Sequence, residues 1–405
     1  MRRPILPPLF LLSLFLSGLH FPAPAVAAPT DDGAEQARIS AELYEHKALE
    51  HFYSAEFREA EEQYRKAIAL QPENPLYWNG LADCYLFQLL LAAGRLDSQF
   101  YTAANEFLNP TPTAPDAVVV KAFWEALGRA RSLGEKRVRA NASDAQAHYA
   151  LAVSYAIESH YHLNLTRKPL DALRSGDKSR DAAQRARQLD SKNSDPNLIL
   201  GAYEYAIGSV PGAFRWLLLL SGHSGSKTRG VELLQDAMLH GKRTSTAALA
   251  LLAVMYGREK LFVYSREMFQ HLLRFFPRNY LYEMEIARTY QREGNLGAAI
   301  EVCKNVARKY ETRAPGFERV DPVKLYFQIA TLVEEHGRPD DAMEFFQKVI
   351  SKKPEGVLHA QSYLRMGEYY RARKERERAR TMFENARRLP FPEIQRQAVA
   401  GLRRL

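Results

Sequence analysis

The run whose spacing most resembles working chemistry is Ser221, Gly222, His223, Ser224, Gly225, Ser226, Lys227 and Thr228. A loop that wraps phosphates needs a glycine immediately before the lysine and another six residues before it, so that bare backbone can close on the anion. Ser226 and Ser221 stand in those places, and no alternating strand–helix pattern surrounds them. The run is therefore expected to be a flexible turn ahead of a helix. His160 and His162, with Glu158 nearby, suggest a metal pair, but residues two apart on a helix point to different sides. The spacings His-Glu-x-x-His, Gly-x-Ser-x-Gly and Cys-x-x-Cys are all missing from the sequence. Glu61 with Glu62, and Glu334 with Glu335, fall on helix surfaces. Asn141 and Asn164 open glycosylation-acceptor triplets, which matter only in a eukaryotic secretory pathway. No catalytic residue, metal or cofactor is expected, and the chain reads as a binding protein rather than an enzyme.

The elements that would carry any binding surface emerge from a fixed period. Gly367 is followed by Tyr370, Ala379, Phe383 and Ala386, with Tyr363 one turn before it. At the same offsets Ala330 gives Val333, Ala342, Phe346, Val349 and Pro354, and Ala287 gives Tyr290, Ala299, Cys303 and Val306. Ala253 gives Tyr256, Ser265, Phe269, Leu272 and Pro277, and Ala48 gives His51, Ala60, Tyr64, Ala67 and Pro72. Apolar residues three and four apart mark amphipathic helices, and the breaks fall at turn residues such as Gly294, Gly337 and Pro72. No stretch alternates long enough for a sheet.

These small and large positions resemble the tetratricopeptide repeat over most of the chain. The resemblance implies an all-α, right-handed superhelix of seven to eight helix pairs, from about Ile39 to Arg404. Each unit would be two antiparallel helices, with small residues allowing close approach and rings filling the gap to the next unit. Two anchor spacings are 34 residues, Ala48 to Ala82 and Ala253 to Ala287. Ala82 to Ala152 spans 70, which leaves room for one further helix pair around Ala117 to Arg131 after a proline-rich turn. Ala152 to Gly201 and Gly201 to Ala253 span 49 and 52, which predicts an insertion between the helices of each pair. Ser179, Ala183 and Ala186, and then Gly230, Leu234 and Ala237, mark the second helices. Cys84 and Cys303 sit on apolar faces of units too distant in such an array to share a disulfide.

Arg2 and Arg3, the apolar run Leu9 to Leu16 and the small residues Ala25 to Ala28 have the order of a secretory signal peptide, with cleavage after Ala27 or Ala28. No cysteine lies there to carry a lipid. The expected organisation is a signal over 1–28, a linker over 29–38, partly degenerate repeats over 39–143, repeats with insertions over 144–245, and regular repeats with a basic end over 246–405. The formal net charge is +9. Eleven basic and four acidic residues from Arg371 onward concentrate it at the carboxyl end, which would suit an acidic protein surface or an anionic membrane rather than nucleic acid.

Binding by the groove is what the resemblance implies for function. First helices would line a concave surface holding Met284, Arg288, Gln291, Phe327, Thr331, Leu364, Glu368 and Arg371. The family's clamp for a terminal carboxylate is not matched, because Met284, Arg288, Phe327 and Thr331 occupy its places. Mixed apolar and charged residues suit an amphipathic peptide or partner helix instead. Trp216, in the apolar insertion 209–228, is a second expected contact. The expected role is an exported scaffold, periplasmic or secreted, or alternatively an assembly factor close to the envelope membrane.

Overall fold

The computed structural model describes residues 32–96, 115–210, 223–353 and 355–405. Among these residues there are seventeen α-helices, one short 3-10 turn and no strand. They form an αα superhelix of eight successive pairs closed by a last helix. The pairs are α1 (Asp32–Tyr53) with α2 (Phe57–Leu70), α3 (Pro75–Ala92) with α4 (Ala117–Ala140), and α5 (Ala145–Asn164) with α6 (Pro169–Leu189). There follow α7 (Pro196–Gly208) with α8 (Lys227–His240), α9 (Ser245–Arg258) with α10 (Phe262–Phe275), and α11 (Tyr280–Glu293) with α12 (Leu296–Glu311). The array ends with α13 (Pro322–Glu335) and α14 (Pro339–Ile350), α15 (Val357–Ala372) and α16 (Arg376–Arg388), and the capping helix α17 (Pro392–Arg403).

Local chemistry sets the boundaries. Side chains of Asn74, Asp116, Asp144, Asn279, Asn295 and Asp321 accept from the first free amides of the helices they precede. Prolines 75, 169, 196, 322, 339 and 392 stand in first turns, where no amide donor is needed. Gly294 ends α11 in the left-handed region, at φ 87°.

The phase read from the sequence holds where it can be checked. Ala48, Ala60, Ala253, Ala299, Ala330, Ala342, Ala379 and Ala386 are fully shielded, as are Cys303 and Phe383. Where serine replaces alanine at the second-helix contact, its hydroxyl donates across the pair. Ser179 reaches the Ala152 carbonyl and Ser265 the Ala253 carbonyl, both at 2.7 Å. Phe383 shows how tight the contact is, since its ring lies between Gly367 and Gly401. A methyl carbon at those positions would fall 2.7 Å and 2.6 Å from ring atoms.

Four expectations change. The single helix α4 is the partner of α3, so the described residues hold no additional pair around 117–131. The excess in the third unit is not an insertion. It lies in the helices themselves, 20 and 21 residues long with a short turn between them. Fifteen extra residues amount to about four helical turns, so the added length preserves the facing surfaces. The first helix begins at Asp32, inside the stretch expected as a linker.

Distant units also meet, contrary to the expectation for a one-dimensional array. Glu45 of α1 pairs with Arg243 between α8 and α9. The Tyr53 carbonyl accepts from Asn279 at 2.8 Å, and the Tyr53 ring lies 5.4 Å from that of Phe276. Glu56 takes two bonds from Arg278, at 2.8 and 3.1 Å, and Arg319 pairs with Glu59. The end of the first pair thus rests on three successive connections between later units. Cys84 and Cys303 are nevertheless free and buried.

Two measurements follow. Gly367→Ala should lower stability by about 1–3 kcal/mol, because the buried ring of Phe383 has nowhere to move, and denaturant unfolding would register it. Glu56→Ala should leave Arg278 only its longer contact with Glu50, at 3.8 Å, cost about 1–3 kcal/mol and enlarge the radius of gyration in solution scattering as the first pair detaches.

Candidate functional site on the concave side

The expected groove residues divide into wall and opening. Phe327 is buried in the core of the sixth and seventh units, edge-on to Phe346 at 5.9 Å, and Met284 packs against that same core. Arg288 is only 4% exposed and pairs with Glu285, so its charge is spent inside the wall. Gln291 keeps part of its surface, and the hydroxyl of Thr331 donates back to the Gln328 carbonyl at 3.0 Å. Leu364 and Glu368 do reach open space. With Glu334, Pro339, Asp340, Arg365, Tyr369, Arg373 and Gln397 they line a cavity of about 580 Å³ between α13–α14, α15 and α17. Arg371 stands beside it, paired with Glu368 at 2.7 Å. The Tyr369 hydroxyl donates to Asp340 at 2.6 Å, and Arg373 holds the same oxygen at 2.6 Å. The opening is amphipathic, with an apolar floor and charges of both signs at its rim. Trp216 lies outside the described residues.

A second region was not anticipated from the sequence. Tyr53 of α1 lies near enough to Tyr282 of α11, Asp83 of α3 and Tyr149 of α5 to feel their charge. Burial raises the phenols of Tyr53, Tyr149 and Tyr282, and it pushes the Asp83 carboxyl up to about 7. Asp83 nonetheless keeps part of its surface accessible. Glu45 is also raised by burial, partly opposed by Arg243. The signal for Asp83 was there to be read: it is the only charged residue in the eighteen of α3.

The remaining constellations resolve as structure. His160 packs against Phe87 at 5.6 Å, and burial lowers it to about 4. His162 faces Glu158 at 3.8 Å and the Trp124 ring, so the two imidazoles serve different contacts. No group of three or more metal-ligating side chains occurs among the described residues. Ser226 caps α8 by accepting from the Arg229 amide, the ordinary role of a serine before a helix. His223 and Tyr203 both bond Asp177, at 2.8 and 2.7 Å, where the chain returns from the 211–222 segment. Asn164 is buried and so is a poor acceptor for a glycan in the folded chain.

Comparison with known proteins agrees with the repeat. The family described as tetratricopeptide repeat matches residues 47–115, which carry the end of α1 and the whole of α2 and α3. No curated protein matches the sequence. Among solved structures, the human IFIT1 dimer with PPP-AAAA is similar at 17% identity and TM-score 0.37, covering 88% of this chain and 81% of that one. Pseudomonas aeruginosa pilF is similar at 12% identity and TM-score 0.38, covering 62% and 99%. Yeast Tom70 is similar at 14% identity and TM-score 0.36, covering 91% and 89%. Likeness at this level assigns no partner, so the chain is described by what its own residues establish: tetratricopeptide-type helix pairs wound into a superhelix.

Proposed function

We propose that this protein is an exported scaffold that docks a polypeptide partner on the concave side of its last two units, and that it has no catalytic role. The observation that carries the reading is the opening around Leu364 and Glu368, about 580 Å³ in volume and placed where successive first helices converge. Leu364, Pro339 and the Tyr369 ring offer apolar contact, while Glu334, Asp340, Arg365 and Arg373 can fix the register of an amphipathic segment. Export rests on the signal-like order of the first 28 residues, and the compartment would be the periplasm or the exterior. Among the described residues no helix is long and apolar enough to cross a membrane. The basic end is laced with ion pairs such as Arg378–Glu375, Arg388–Glu355 and Arg396–Glu393, which favours a solvated face over a dedicated anionic-membrane site.

A photo-cross-linking residue at position 364 or 369 should capture one discrete partner band in intact cells. The same residue at 384, on the outer face of α16, should not. Equal capture at all three positions, or Leu364→Asp leaving the adduct at 369 unchanged, would remove the groove from the account. Separately, mass spectrometry of the exported chain should find a new amino terminus at Ala28 or Pro29, and a chain still starting at Met1 would refute a cleaved signal.

A further inference from the structure

The turn between α5 and α6 reaches beyond the turns of the regular pairs. The hydroxyl bonds Ser179 to Ala152 and Ser265 to Ala253 mark equivalent crossings in the third and fifth pairs. From that crossing α5 continues to Asn164, twelve residues beyond Ala152, whereas α9 stops at Arg258, five beyond Ala253. Its partner α6 begins at Pro169, ten residues before Ser179, whereas α10 begins at Phe262, three before Ser265. Both helices of the third pair are thus longer on the turn side by two helical turns, and the hairpin reaches about 10 Å farther. The second pair braces it. The rings of Phe123 and Trp124 lie 4.8 and 5.0 Å from that of Tyr161, and buried Arg95 donates to the carbonyls of Asn164 and Leu165 at 2.5 and 2.6 Å.

The braced tip combines apolar and cationic groups. Leu163 and Leu170 are 52% and 69% exposed, and Arg167, Lys168 and Pro169 are exposed between them. No acidic residue occurs between Glu158 and Asp171, and Asp171 is paired with Arg174 at 3.2 Å. Val118, 76% exposed in the first turn of α4, adds apolar surface at the same end. The backbone of the turn is bonded internally as well as to Arg95. The Leu165 amide donates to the Tyr161 carbonyl at 2.9 Å, the Lys168 amide donates to the His162 carbonyl at 2.8 Å, and Pro169 brings no amide. Such a turn can leave water without stranding these peptide groups.

We propose that the α5–α6 tip inserts shallowly into an anionic lipid surface. Leu163, Pro169 and Leu170 enter the boundary between headgroups and acyl chains, while Arg167 and Lys168 stay at the level of the lipid phosphates. Shape and charge favour this partner. A narrow projecting tip offers few groups for recognition by a folded protein, which would need a matching cavity, whereas a lipid interface yields around it. The two cations, with no acid between them and the leucines, complement anionic headgroups. Among the described residues no helix is long and apolar enough to span a bilayer, so the attachment is peripheral. It lies in a different unit from the groove at Leu364 and does not rest on it.

The test is vesicle co-sedimentation of the full chain as isolated from cells. The probes are vesicles of phosphatidylcholine alone and of phosphatidylcholine with about a third phosphatidylglycerol. The chain should bind the anionic vesicles saturably, and the zwitterionic ones at least about tenfold more weakly. Leu163→Gln combined with Leu170→Gln should lower the affinity at least about tenfold, as should Arg167→Gln combined with Lys168→Gln. Leu239→Gln, an exposed leucine at the opposite end of its pair, should not change it. The difference emission spectrum of Leu170→Trp against the parent should shift to shorter wavelength on anionic vesicles, and that of Leu239→Trp should not. Absence of saturable binding, unchanged affinity in the double-leucine variant, or binding without the shift at position 170 would overturn the proposal. So would a photo-cross-linker at position 170 that captures a discrete protein rather than lipid in intact cells, since that result assigns the tip to a protein partner.

Discussion

Everything in this molecule depends on two helices being allowed to touch. In each pair one helix presents a residue no larger than alanine or serine where the other crosses it, and a ring or branched side chain fills the space left alongside. Gly201 and Gly230 carry this furthest, since an added methyl carbon at either would stand 2.8 Å from the other's carbonyl oxygen. Close approach fixes the angle of a pair, and the repeated angle fixes the curvature of the array. The concave side, and any ligand it holds, follows from that curvature rather than from a dedicated site-forming loop.

Curvature has a second outcome here. The coil is tight enough for the first pair to reach the connections after α8, α10 and α12, where acidic Glu45, Glu56 and Glu59 meet basic Arg243, Arg278 and Arg319. The contact is largely ionic, with one aromatic pair, Tyr53 and Phe276, beside it. Burial in this part of the molecule raises the pKa values of Tyr53, Asp83 and Tyr282.

The repeat was legible because its anchors are local: a small residue and a ring sixteen positions later report one contact within one unit. Lengthened helices were misread as an insertion because spacing counts residues without saying whether they add turns or loops. The groove was half legible. Leu364 and Glu368 open to space as the phase implies, but Phe327 and Arg288 are drawn into the wall by packing between units, which one unit's pattern does not encode. The closure was invisible, since partners 198 to 260 residues apart leave no periodic trace.

The bond between Glu59 and Arg319 has a temporal meaning as well as a spatial one. A chain that emerges amino terminus first can pair each helix with its neighbour as it appears, but its leading pair cannot find its final seat until some 260 further residues have followed. Until then Glu45, Glu56 and Glu59 remain an exposed acidic edge on an incomplete coil. Maturation therefore has a late step of high sequence separation after a series of quick local ones.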